Sequence, residues 1–182
     1  MKKKEWYRGE FNMLKVMDIA DFILKNRIEK HDPITNLALQ KYLYFANAKF
    51  LYETGEPLFE EPIEKWKFGP VVSEVYHEYK DYRANKITEL SKHESINITD
   101  TGIKIIENEF NEESIPNDIQ EKLISVINNL SKYTSFKLVE ETHKHSEWKN
   151  DEDRIMSGEK HLTYDIDSMK KYFERHEEAR IW

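Results

Sequence analysis

The residues best suited to chemistry lie in one stretch, EETHKHSEW, Glu140 to Trp148. It carries two adjacent carboxylates and two imidazoles. On a helix Glu140 and His143 share a face and could pair as an oriented general base, and Glu140, Glu141, His143 and His145 together could hold a metal for hydrolysis. The spacing argues against this: helical metal sites present ligands at i and i+4, and imidazoles two residues apart point to different sides. The plainer reading has His143 hydrogen-bonded at a helix end and Trp148 covering the core. No nucleophile elbow, Walker loop or basic helix-turn-helix occurs. The chain has no cysteine, which excludes disulfides, zinc ribbons and thiol catalysis. No enzyme, metal or cofactor is therefore expected.

The elements that would position these residues can be read from composition and periodicity. At 182 residues the chain suits one domain with a real core. Hydrophobic residues make up 38% and charged residues 35%, but 9 Phe, 10 Tyr and 4 Trp supply large buried area. Five Gly and five Pro leave little material for a sandwich, a barrel or a phosphate loop. The expected fold is mainly α, a single globular domain of about seven helices with at most a small β-hairpin or short sheet. A net charge of −7, with both signs interspersed, disfavours nucleic acid and is compatible with a basic protein partner. The opening MKKKEWYRGEFN has no apolar run behind its basic start, and nowhere do about 18 apolar residues run together, so the expected location is cytoplasmic, away from membranes.

Met13 to Arg27 reads as an amphipathic helix with Asp18, Asp21 and Lys25 on its polar side. Asn36 to Glu53 is apolar around most of its circumference and belongs at the centre, with Gln40 and Asn47 on one stripe and Gly55 as its C-cap. Leu58 to Phe68 is extended, as a strand or a connector, with Ile63, Lys65 and Lys67 alternating against Glu64, Trp66 and Phe68. Gly69 permits a reversal, and Pro70 would open a helix carrying Val72, Val75, Tyr76 and Tyr79 inward. Ala84 to Ile98 reads as a loop or small hairpin, and Thr99 or Asp100 as the cap of a helix through Phe110. Further helices are expected from Asn117 or Asp118, from Thr134 or Ser135, and over Asp165 to Arg175, with Lys149 to His161 a solvated connection. The tyrosines Tyr42, Tyr44, Tyr52, Tyr76, Tyr79 and Tyr82 could form a binding surface. At helical spacing they read first as core residues with edge hydroxyls.

Whole phrases of the chain resemble a known family. LQKYLYFANAKFLYETGEPLFEEPIEKWKFGPVVSEVYHEYK, Leu39 to Lys80, is similar to the signature of the Panacea domain, the SocA-like antitoxin and phage-associated GepA-like family. The match rests on Gln40, Lys41, Tyr44 and Phe45, then Trp66, Gly69, Pro70 and Val71, then Tyr76. VEETHKHSEWK extends it through Thr142, His143 and Trp148, although Glu147 stands where the family commonly has Pro. The resemblance covers most of residues 13 to 150 and fades beyond. It divides the chain into an N-terminal extension (1–12), the antitoxin domain (13–150) and a C-terminal helical extension packing on the same domain (151–182), with no room for the N-terminal DNA-binding module that some relatives carry.

The resemblance implies an antitoxin whose partner is a cognate toxin encoded beside it, neutralised by direct binding. One branch of the family implies the alternative of an adaptor that delivers the toxin to a cytosolic ATP-dependent protease. On this reading Trp66 and Phe68 anchor the extended segment on the central helix, while Glu64, Lys65, Lys67, Glu74 and His77 project outward from rigid elements as the partner-binding surface.

Overall fold

Residues Asn36–Thr54 form the helix around which the fold is assembled, here labelled α2. Thr35 caps its start, the side chain accepting from the Ala38 amide at 3.2 Å, and Gly55 closes it in the left-handed region at φ +88°, a conformation that costs glycine little. From Asn36 to Leu51 nearly every side chain is buried. A helix buried all round must be enclosed by its neighbours, and α2 is packed by α1 (Val16–Glu29), α4 (Asn117–Leu130), α5 (Ser135–His143) and α8 (Ile166–Arg175).

The structure, a computed structural model, describes residues 13–99, 102–108 and 110–182. It is one globular domain, mainly helical, with eight α-helices among the described residues. Short helices α3 (Ser73–Glu78), α6 (Ser146–Lys149) and α7 (Glu152–Met156) complete the set. Two antiparallel hairpins accompany them: β1 (Ile63–Trp66) with β2 (Gly69–Val72), and β3 (His93–Thr99) with β4 (Gly102–Asn108).

Four local expectations need correction. Pro70 does not open a helix: it lies in β2, and α3 begins at Ser73. Proline is tolerated there because Lys65, its partner in register, sends its own amide the other way, to Leu162 O at 2.6 Å. The pair is a non-hydrogen-bonded one, in which the missing N–H is not needed. The helix expected through Phe110 is strand β4, with Ile105 opposite Ile96 and Ile103 opposite Ile98; β-branched residues favour that pleated arrangement. Asp100 lies outside the described residues. The Lys149 to His161 connection contains α7, whose Ile155 is buried. Asp21, assigned to a polar face, is fully buried, because Tyr79 Oη donates to its Oδ1 at 2.6 Å.

That bond ties α1 to the end of α3. Burial, reinforced by the Asp21 charge, pushes the Tyr79 phenol well above its ordinary range, so it stays a donor. Tyr79→Phe removes one donor from a buried carboxylate. It should lower stability by about 2 kcal/mol, the scale of a hydrogen bond to a charged group, read as a drop in Tm; an unchanged melt would contradict the assignment.

Candidate functional site

The β1–β2 hairpin is a two-stranded sheet, marginal by itself and with two edges of unpaired backbone groups. The outer edge of β1 is covered by the chain near its C-terminus: Lys65 donates to Leu162 O, and Tyr164 donates to Ile63 O at 2.9 Å. The outer edge of β2 is satisfied by side chains of α2. Val72 N donates to Gln40 Oε1 at 2.9 Å, and Lys41 Nζ donates to Pro70 O at 2.8 Å. Gln40 is itself oriented by Asn36 Oδ1 at 2.9 Å, and Asn36 Nδ2 donates to Tyr76 O at 3.0 Å.

The α5–α6 corner holds the hairpin tip. Trp148 Nε1 donates to Trp66 O at 2.9 Å. The His143 ring stacks on Trp148 with centroids 3.7 Å apart, and its buried Nε2 has no hydrogen-bond partner among the described residues. Burial, and then the nearby Lys41 charge, lowers the His143 pKa. Thr142 is fully buried with Oγ1 donating to Val139 O at 2.9 Å. Gly69 sits between these groups at φ +89°, and a Cβ there would lie 2.6 Å from Thr142 Oγ1 and 3.2 Å from Lys41 Nζ. Gly69 therefore serves two needs: a left-handed residue just after the Lys67-Phe68 turn, and close approach of the backbone. Deeper in, Tyr44 Oη and His145 Nδ1 are hydrogen-bonded at 2.8 Å, and Phe45 meets the His145 ring edge-on at 5.9 Å. Val71 is buried, and Tyr76, half-buried, packs edge-on against Trp66 at 4.8 Å.

The five residues assigned outward divide. Lys67, Glu74 and His77 are exposed. Lys65 does not project: it is buried, with Nζ 3.1 Å from Glu147 and 2.7 Å from Asp151. Its parity with the buried Ile63 along β1 was the signal for this, and the two carboxylates four residues apart supply the charge that makes burial tolerable. The hydrogen bond from Lys65, followed by that from Arg154, holds the Asp151 carboxyl below its usual range. Glu64 is half-buried, accepting from Trp66 Nε1 at 2.8 Å and facing Thr163 across the sheet edge. The anchoring role given to Trp66 and Phe68 is also corrected. Trp66 is half-buried and Phe68 is 50% exposed, because the inward positions of β1 belong to Ile63 and Lys65.

The candidate hydrolytic set does not converge. Glu140 is exposed and pairs with Lys137 at 2.8 Å rather than with His143. Glu141 lies 2.6 Å from Lys144. His143 is stacked on Trp148, and His145 is buried against Tyr44. Among the described residues no group of three or more His, Asp or Glu side chains is placed to hold a metal, and no helix is long and apolar enough to cross a membrane.

Gln40, Lys41 and Trp148, which close the β2 edge and hold the tip, lie in the signature phrases. The profile of the family described as antitoxin SocA-like, Panacea domain, matches residues 39–149, and the chain belongs to that family. Antitoxin SocA of Caulobacter vibrioides (strain NA1000 / CB15N) is 48% identical over 58 residues, 32% of this chain and 31% of that protein. The similarity thus spans about a third of the curated relative's length. No solved structure matches the chain.

Gly69→Val should destabilise by about 2–4 kcal/mol, combining left-handed strain with overpacking. Trp66→Ala, which empties only a half-buried position, should cost less than the 3–5 kcal/mol typical of a core tryptophan. Parallel thermal melts check both, and a milder effect from Gly69→Val than from Trp66→Ala would contradict the packing described.

Lys41 supplies a pH signature. Burial lowers its pKa from 10.5 to about 7. Between those values the unfolded chain holds a proton that the folded state has released, so stability rises with pH across that window and the contribution is lost below it. Lys41→Met should flatten the rise between pH 7 and 9 in denaturant titrations. An unchanged slope would show that the amine is charged in the fold.

Proposed function

We propose that the chain is a non-enzymatic antitoxin that neutralises a cognate toxin, encoded beside it, by direct protein–protein binding. Residues 13–150 are the unit that does this, with 151–182 as an extension packed on it, and the setting is cytoplasmic. The observation that carries the reading is the use made of the signature side chains. Gln40, Lys41 and Trp148 all hold hairpin backbone, and the exposed residues they present are Lys67 at the tip and Glu74 and His77 on α3. Contact groups on elements already fixed lose little further freedom when a partner docks.

The class is tested by expressing the neighbouring reading frame alone and then with this chain. Toxicity alone and rescue together are expected. Rescue should persist in a host lacking its ATP-dependent proteases; its loss there would favour the adaptor mode instead.

The surface is tested by Lys67→Glu with Glu74→Lys. This double variant should melt like the wild type, since exposed substitutions change stability by no more than about 0.5 kcal/mol. It should bind toxin at least about tenfold more weakly, a loss of about 1.4 kcal/mol. The control is Glu121→Lys with Lys171→Glu, both exposed positions on other helices. Loss of binding by the control alone would place the docking surface elsewhere.

A further inference from the structure

Two large aromatic side chains remain in solvent at the hairpin tip. Phe68 is 50% exposed and Phe136, in the first turn of α5, is 66% exposed. Their rings meet edge-to-face, with centroids 6.5 Å apart and planes at 87°. They come from separate elements, and each backbone is fixed independently. Phe68 precedes Gly69, which is wedged against Lys41 and Thr142. Phe136 follows the Thr134 cap, whose side chain accepts from Lys137 N at 3.2 Å. Neither ring contributes to the core, so the fold does not account for their apolar character.

Charge distinguishes the place further. Lys65 and Lys137, on either side of the tip, are each matched by two carboxylates. Lys67 is not: its Nζ lies 5.9 Å over the Phe68 ring and meets no carboxylate among the described residues. The chain carries a net charge of −7, and Lys67 places an exposed cation directly beside the aromatic pair. Complementary charge at an apolar patch fixes partner and register more than it adds raw affinity.

Resting on the antitoxin reading, we propose that Phe68 and Phe136 form one aromatic wedge that inserts into an apolar pocket of the toxin, with a toxin carboxylate at the pocket rim meeting Lys67. Aromatic side chains dominate binding energy where they fill a partner's pocket. The two rings already rest on each other, so less ordering remains to be done on docking.

The test uses the purified product of the neighbouring reading frame and the full chain. Affinity is measured for wild type, Phe68→Ser, Phe136→Ser, the double variant and Lys67→Gln, with a salt series, a melt of each, and sedimentation of the free proteins. All variants should melt like the wild type and remain monomeric. Each Phe variant should bind at least about tenfold more weakly, and the double variant should lose less than the product of the two, because the rings act as one contact. Lys67→Gln should remove most of the salt dependence. A double variant that binds within about twofold of wild type overturns the wedge and leaves the antitoxin reading standing. Self-association of the wild type that the double variant abolishes would assign the patch to a second copy, also overturning it. If the wild type neither binds nor neutralises the product, the antitoxin reading fails and the wedge falls with it.

Discussion

The unpaired N–H and C=O groups along both edges of the β1–β2 hairpin are the constraint on which the rest of the structure depends. A strand of four residues buried beside helices cannot leave those groups to water, and an unpaired buried amide or carbonyl costs about as much as a lost hydrogen bond. One edge is closed by main chain at Leu162 and Tyr164. The other is closed by Gln40 and Lys41. The second arrangement explains why a helix enclosed on all sides carries amides and an amine at its most buried positions. Asn47 does the same further along, its Oδ1 accepting from Leu58 N at 2.8 Å. The polar atoms of α2 are sockets for returning backbone.

Burying an amine without a carboxylate partner is expensive, and burial moves Lys41 toward its neutral form, lowering its pKa to about 7. Its long stem reaches where a shorter donor could not, and its head occupies the space that Gly69 leaves open. Lys65 solves the same problem by opposite means, remaining beside two carboxylates from the α6 region. Removing one member of such a set strands the others, so the arrangement specifies a geometry more than it adds net stability. Both lysines fix where the tip lies relative to α5, and hence where Phe68 meets Phe136.

Much of this was legible in the sequence. The helices followed from period and punctuation: Gly55 closes α2, Thr134 caps α5 and Asp165 caps α8, its side chain accepting from Ser168 N at 2.8 Å. Errors arose where a residue's chemistry suits two contexts. A missing N–H is harmless at the first turn of a helix and at a non-hydrogen-bonded strand position, so Pro70 alone could not decide between them. Ile103, Ile106 and Phe110 satisfy helical spacing, while Ile96, Ile98, Ile103 and Ile105 satisfy alternation, and only the pairing of β4 with β3, which neither segment shows alone, resolves it. Phe68 was placed inward because it is large, yet it sits in a tight turn whose residues must point away. Phe136 carried a readable signal: it lies off the face of α5 that buries Leu138, Val139 and Thr142.

Amide hydrogen exchange across Ile63–Val72, in the free protein and with toxin bound, tests most directly the claim that the signature side chains lock the hairpin before any partner arrives. The account predicts that the Val72 amide, held by Gln40, is protected in the free protein almost to the level of the α2 core, and that toxin adds protection mainly at the tip and the first turn of α5. Rapid exchange at Val72 in the free protein, with protection across the whole hairpin appearing only when toxin binds, would contradict it.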